Sequence, residues 1–95
     1  MTKSIIIDFL HQNKEMMQSK YQVKQIGLFG SYVKGLQKDE SDIDILVDMP
    51  SSFDAYYDLK EFLEKNLQKK VDLGLMSTIR EHLKQKIFSE VEYVR

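Results

Sequence analysis

Apolar residues recur at helical spacing from the start of the chain. Ile5, Ile6, Phe9, Leu10, Met16 and Met17 fall near one face, which predicts an amphipathic helix from about residue 4 to residue 20. Val23 to Phe29 then reads as a strand with Ile26, Leu28 and Phe29 as its apolar bulk, and Gly30-Ser31 follows as a strand-to-helix turn with Ser31 at a helix N-cap. A second strand runs from Ile43 to Val47. Residues two apart on a strand share a face, so Ile43, Ile45 and Val47 line one side while Asp42, Asp44 and Leu46 line the other. Ser51 and Asp54, just after Pro50, have the spacing of a capping box and open a helix with a wide stripe of Phe53, Tyr56, Tyr57, Phe62, Leu63 and Leu67. Lys69 to Leu75 gives a third short strand. Thr78 and Glu81 repeat the capping pattern before a last helix that carries Ile79, Leu83, Ile87 and Val91. The order helix, strand, short helix, strand, helix, strand, helix argues for an α/β fold in which helices cover a small sheet. Periodicity leaves the strand directions open.

Composition narrows the class. With 95 residues and 42% hydrophobic content, the expectation is a single domain over 1–95 with one small core, whose apolar surface a partner would help to cover. The absence of cysteine excludes a disulfide framework and a thiolate zinc site. His11 and His82 lack partner spacing and read as surface helix residues. No apolar run approaches the roughly 18 residues of a membrane span, and the N-terminus lacks a signal-peptide pattern, so a cytoplasmic protein is expected. Fourteen basic residues against 15 acidic ones do not make the basic surface that holds a nucleic-acid duplex. Lys65, Lys69 and Lys70 cluster locally, as a solvated helix end or as a means of steering a triphosphate.

The acidic positions carry the chemistry. Asp42 and Asp44 converge on one face, about 7 Å apart by strand geometry, and would repel each other without a cation between them. Mg²⁺ suits such a pair, because it is a hard ion usually held by one or two carboxylates plus substrate phosphates. Asp72 lies in an apolar strand where a lone acid is costly to bury. If that strand neighbours the Asp44 strand, three acids meet, enough for two ions that serve the attacking and leaving oxygens of an in-line displacement. Gly30-Ser31, ten residues upstream of Asp42, is by itself either an ordinary turn or a seat for a phosphate on free backbone N–H groups. Lys34 reads as a phosphate contact or as a solvated lysine, and Tyr32 as packing or a stacking platform. Tyr56 and Tyr57 are adjacent and cannot share a helix face, so one points outward.

Together these residues resemble a known signature. The run Ile26-Gly27-Leu28-Phe29-Gly30-Ser31-Tyr32, then Lys34-Gly35, Ser41-Asp42-Ile43-Asp44-Ile45-Leu46-Val47, Val71-Asp72-Leu73 and Ile87 to Val94 is similar to the minimal nucleotidyltransferases of the polymerase-β nucleotidyltransferase superfamily. One departure is Lys34, where relatives often carry arginine, the two-pronged phosphate ligand. The resemblance implies a mixed three- to four-stranded sheet flanked by about four helices, with the acids at one end. It implies Asp42, Asp44 and Asp72 as metal-binding and catalytic residues, and Gly30, Ser31 and Lys34 as nucleotide-binding residues. It also implies ATP as substrate and Mg²⁺, two ions, as cofactor. Because this length leaves no room for an acceptor-binding domain, the expected acceptor is a partner protein. By the same resemblance that partner is a HEPN ribonuclease toxin, which receives adenylate on a tyrosine and forms a hetero-oligomer with this antitoxin. Neutralisation of the toxin by binding alone, and nucleotidyl transfer to a small molecule, are the competing expectations.

Overall fold

Asn13 divides the N-terminal apolar stretch in two. In the computed structural model, which describes residues 1–94, α1 (Lys3–Gln12) ends where the Asn13 side-chain amide donates to the Phe9 carbonyl at 2.8 Å. The Asn13 carbonyl accepts from the Met17 N–H at 2.9 Å, so the same residue opens α2 (Lys14–Tyr21). The single helix expected over residues 4 to 20 is therefore two, because an asparagine side chain competes for the backbone groups that would have carried the helix through.

The next elements follow the pattern with shifts at their ends. β1 spans Gln25–Phe29, α3 is a single turn over Ser31–Lys34, and β2 spans Ile43–Asp48. Helix α4 (Phe53–Leu67) is capped by Ser52, whose Oγ accepts from the Ala55 N–H at 3.3 Å, and not by Ser51 as the capping-box spacing suggests. Strand β3 (Val71–Leu75) leads into a 3₁₀ turn over Met76–Thr78. Thr78 does not cap a helix there: its Oγ1 donates back to the Leu75 carbonyl at 2.9 Å, and α5 (Glu81–Glu90) starts with Arg80 at the N-cap position. Val91, expected on that last helix, lies beyond it, and a strand that the helical pattern concealed follows, β4 (Glu92–Tyr93).

The four strands make one mixed sheet in the order β3-β2-β1-β4. β1 pairs antiparallel with β2 and with β4, and β2 pairs parallel with β3. Gly27 admits the short β4 at close range, since a Cβ there would stand 2.3 Å from Val91 Cγ1 and 3.1 Å from the Glu92 carbonyl oxygen.

The two faces of this sheet are covered unequally. Ile43, Ile45 and Val47 of β2, with Ile26 and Leu28 of β1, pack under α1, α2 and α4 in the main core, where Ile6, Leu10, Met17, Leu59 and Leu63 are fully buried. Each such side chain contributes about 1.5–3 kcal/mol relative to exposure. The opposite face carries a thin cluster built on Leu46, Met76 and Val91, with Phe29, Ile79, Ile87, Phe88 and Tyr93 only partly buried around it. Leu46 is the apolar neighbour that strand alternation placed on the acidic side, and the acids share this lightly covered face.

Candidate active site

Register brings the carboxylates together. In the parallel pairing of β2 with β3, Asp44 stands opposite Asp72, and in the antiparallel pairing of β1 with β2, Phe29 stands opposite Asp44. Neighbouring strands lie about 4.8 Å apart, so Phe29, Asp44 and Asp72 form a row across the sheet on the face away from the main core. Asp42 lies just before β2, exposed at the rim of this row. Asp44 and Asp72 are thus set side by side by the sheet itself, while Asp42 depends on the loop that precedes it. That loop is tied down at two points: the Ile43 N–H donates to the Lys70 carbonyl at 3.0 Å, and Lys69 Nζ donates to the Asp39 carbonyl.

The electrostatics are those of an acid cluster without counter-charge. Burial pushes the Asp44 carboxyl above its ordinary value, and the neighbouring charges of Asp72 and Asp42 and a hydrogen bond with Asp72 add to that rise. Among the described residues, no three His, Asp or Glu side chains are already arranged to hold an ion by themselves. The three acids expected to meet are arranged as a close pair, Asp44 and Asp72, with the Asp42 carboxylate near enough to act on Asp44 by its charge. The donor set still fits Mg²⁺: it is made of oxygens alone, and one or two carboxylates completed by substrate phosphates and water are the usual ligands of that ion.

Gly30 keeps this place open. It sits at the end of β1 with φ +79° and ψ −146°, a conformation that L side chains rarely adopt. A Cβ on Gly30 would lie 2.3 Å from Asp44 Oδ2 and 3.1 Å from its Cγ. The glycine is therefore required twice, by its backbone angle and by the carboxylate lying over it. Gly30, not Ser31, is the N-cap of α3; its carbonyl accepts from Val33 and Lys34 N–H at 3.1 and 3.2 Å, and Ser31 is the first helical residue. With only four residues, α3 has a small dipole, so a phosphate here would depend on individual N–H groups of the turn.

The remaining expected residues separate. Lys34, at the end of α3, pairs with Glu90 Oε2 at 3.6 Å and is about half exposed. Its approach to a phosphate would require leaving that exposed pair, which is a weak one. Tyr32 is buried and packs in the main core, which removes it as a stacking platform.

Three residues beside the acids were not singled out as site residues from the sequence. Tyr56 on α4 donates its hydroxyl to the Leu73 carbonyl, next to Asp72 on the edge strand. Burial, with lesser effects from Tyr57 and Asp72, raises its phenol above the ordinary value and keeps it a donor. Gly74 lies opposite Leu46, where a Cβ would stand 2.9 Å from Leu46 Cδ2, and Phe29 closes the row on the β1 side. Phe29, Asp44, Ile45, Leu46, Asp72 and Gly74 line a cleft of about 130 Å³. Larger concavities lie elsewhere, such as one of about 490 Å³ between α2 and α4, where the acids Asp58 and Glu61 are accompanied by the cations Lys20 and Lys65. Pockets for whole small ligands run about 300–1,000 Å³, so this cleft has room for only a part of such a ligand.

Comparison with known proteins decides the family of the chain. The family model described as nucleotidyltransferase domain matches residues 10–94. The chain belongs to the nucleotidyltransferase domain family. A protein adenylyltransferase of Thermococcus cleftensis, MntA, is 36% identical over 96 residues, covering 99% of this chain and 97% of the relative. A toxin–antitoxin structure with AMP-PNP superposes with TM-score 0.71 at 26% identity, over 90% of this chain and 72% of that one. The fold is also that of a chain in the complex of a tri-AMPylated Shewanella oneidensis HEPN toxin with its MNT antitoxin, with TM-score 0.63 at 22% identity over 94% and 71% of the two chains. As a nucleotidyltransferase this protein has the mixed four-stranded sheet that the resemblance implied. Among its described residues, no helix is long and apolar enough to cross a membrane.

Proposed function

We propose that this nucleotidyltransferase is an antitoxin that transfers adenylate from ATP to a tyrosine hydroxyl of a HEPN-type toxin in the cytoplasm, releasing pyrophosphate. The observation that carries the reading is the register of Asp44 with Asp72 beneath the side-chain-free Gly30. It supplies two neighbouring carboxylates, and a backbone turn that a phosphate can approach closely.

The roles follow from position. Asp44 and Asp72, with Asp42 at the rim, would hold Mg²⁺, and the domain 1–95 would carry the whole site. Bound there, the ions would supply positive charge against the triphosphate and the developing negative charge of the transition state. The turn at Gly30 and Ser31 receives the outer phosphates on backbone N–H groups. Lys34 is within the same turn, and it contributes only after releasing Glu90. The tyrosine oxygen attacks the α-phosphorus in line: the new O–P bond forms as the bond from that phosphorus to the bridging oxygen breaks. The proton of the phenol passes to Asp72, the more exposed carboxylate of the pair, and pyrophosphate departs with the bridging oxygen.

The raised proton affinity of Asp44 fits this assignment, since a carboxylate that resists ionisation alone is one that gains from a cation. The test is incubation of the protein with ATP, Mg²⁺ and a HEPN-type partner protein, followed by intact-mass measurement of both. Addition of adenylate to the partner, absent with Asp44→Ala, is the expected result. Full neutralisation of the partner by Asp44→Ala with no mass change in either protein would favour inhibition by binding alone.

A further inference from the structure

Helix α5 is the least covered element of the molecule, and it lies on the catalytic face. None of its ten residues is buried: Leu83 is 40% exposed, and Ile87 and Phe88 are only partly covered. By contrast, α4 buries Leu59, Leu63 and Leu67 on the other face of the same sheet. An amphipathic helix normally sinks its apolar stripe, so a ten-residue helix without one buried side chain leaves apolar surface to be covered by something else. That surface is continuous with the acid cleft, because Phe29 and Leu46 belong both to the cleft wall and to the cluster beneath α5.

Charge around the stripe points to the partner's character. Glu81 is engaged by Lys84 at 3.1 Å and Glu90 by Lys34, which leaves Arg80 at the N-cap and Lys86 as exposed cations outside the ion pairs of the described residues. The rival exposed apolar patch, Phe53 and Tyr57 of α4, is satisfied in part by itself, with ring centroids 4.7 Å apart, and α4 packs on the sheet face away from the acids.

We infer that α5 is the docking surface for the protein acceptor, which covers Leu83, Ile87 and Phe88 with apolar side chains and meets Arg80 and Lys86 with carboxylates. The inference rests on the reading of the site as a protein adenylyltransferase and adds to it where the acceptor sits. Docking on this face brings the acceptor's hydroxyl to the open side of the Asp44 and Asp72 row without crossing the sheet.

The experiment measures equilibrium binding of the HEPN-type partner to wild type, Leu83→Glu, Lys86→Glu and Phe53→Glu, with thermal unfolding of each variant and intact mass of the partner after ATP and Mg²⁺. Leu83 and Lys86 are solvent-facing, so folding should persist, and Lys86→Glu serves as the second arm if Leu83→Glu does not fold. The expected result is a loss of affinity of tenfold or more for Leu83→Glu, a smaller and salt-dependent loss for Lys86→Glu, and wild-type binding for Phe53→Glu. Wild-type affinity of both α5 variants overturns the inference, as does loss of binding through Phe53→Glu alone. Self-association of the wild-type chain that Leu83→Glu abolishes, with partner binding unchanged, also overturns it by giving the face to a second copy. If the α5 variants lose the partner while the wild type adds no mass to it, the docking surface stands and the transferase reading falls.

Discussion

Gly30 and Asp44 occupy each other's space: a single methyl on the glycine would stand 2.3 Å from the aspartate Oδ2. The contact also falls where φ is +79°, so substitution is resisted by the backbone as well. Gly30→Ala should cost about 1–3 kcal/mol of stability through strain alone and push the Asp44 carboxylate away from its place beside Asp72. The expected outcome is a folded protein with a Tm several degrees lower and transfer reduced by about a hundredfold or more, because displacements of about 1 Å at a reacting centre have effects of that size. Chemical denaturation and adenylate transfer, measured on the same sample, check both halves. Wild-type transfer by Gly30→Ala would show that the carboxylate can act from elsewhere.

Asp44 predicts an exchange of stability against activity. Its folded-state proton affinity is raised by burial first and by the Asp72 and Asp42 charges next. A carboxyl whose folded pKa lies above its unfolded value binds protons more tightly in the folded chain. Stability is therefore lost as pH rises from the ordinary carboxylate range through the raised value, and the full cost is present at neutral pH. Asp44→Asn removes that charge with little change of shape. In the metal-free protein it should unfold at a higher temperature than wild type at neutral pH, by a small margin because solvent screens the partly exposed carboxyl, with the gain vanishing below the ordinary carboxylate range. Transfer should be abolished. A metal-free Asp44→Asn less stable than wild type at neutral pH would contradict the electrostatic account.

Much of this arrangement was legible before the fold was known. Alternation along Ile43 to Val47 placed Asp44 and Leu46 on one face and the three β-branched residues on the other, because the period of a strand is fixed by backbone geometry. What local pattern could not supply was pairing. The meeting of Asp44 with Asp72 is a matter of register between strands separated by a helix, and the motif resemblance supplied it where periodicity did not. β4 was hidden because Glu92 and Tyr93 are too short a run to show alternation, and its presence is written instead in Gly27, whose missing side chain makes room for it. The caps were misplaced by one or two residues, since neighbouring Ser51 and Ser52 offer the same chemistry and tertiary contacts choose between them. The sequence places Tyr56 in an apolar stripe and leaves open whether it or Tyr57 points outward, because its bond to the Leu73 carbonyl joins two elements that no local pattern connects.

Metal and nucleotide should act on stability as well as on activity. The acid pair is strained by its own charge, so a ligand that binds only the folded site raises stability by mass action, about 2.7 kcal/mol at a hundredfold excess over its Kd. Mg²⁺ with a non-hydrolysable ATP analogue should therefore raise the Tm of wild type by several degrees, and EDTA should reverse the rise and stop transfer. Asp42→Ala and Asp72→Ala should each lose most of the shift. Because Asp42 is exposed at the rim, its loss should cost the metal-free protein almost nothing, whereas transfer should fall by about a hundredfold or more. Differential scanning fluorimetry with and without EDTA separates these outcomes. An equal shift in wild type and Asp72→Ala would remove Asp72 from the ligand set.

Tyr56 holds the edge of the site in place. β3 is an edge strand with β2 on one side only, and the Tyr56 hydroxyl satisfies the Leu73 carbonyl between Asp72 and Gly74. Tyr56→Phe leaves the ring in the core and removes only the donor, at a cost of about 1 kcal/mol for the lost hydrogen bond. If the bond serves only stability, kcat at a temperature well below the Tm should stay at the wild-type value. If it fixes the position of Asp72, kcat should fall several-fold while KM for ATP changes little, because the proposed mechanism puts Asp72 at the reacting centre and the outer phosphates on Gly30 and Ser31. The second outcome is expected, since the hydroxyl grips the residue immediately after Asp72. Steady-state kinetics of Tyr56→Phe, set beside its unfolding free energy, distinguish a positioning residue from a purely structural one.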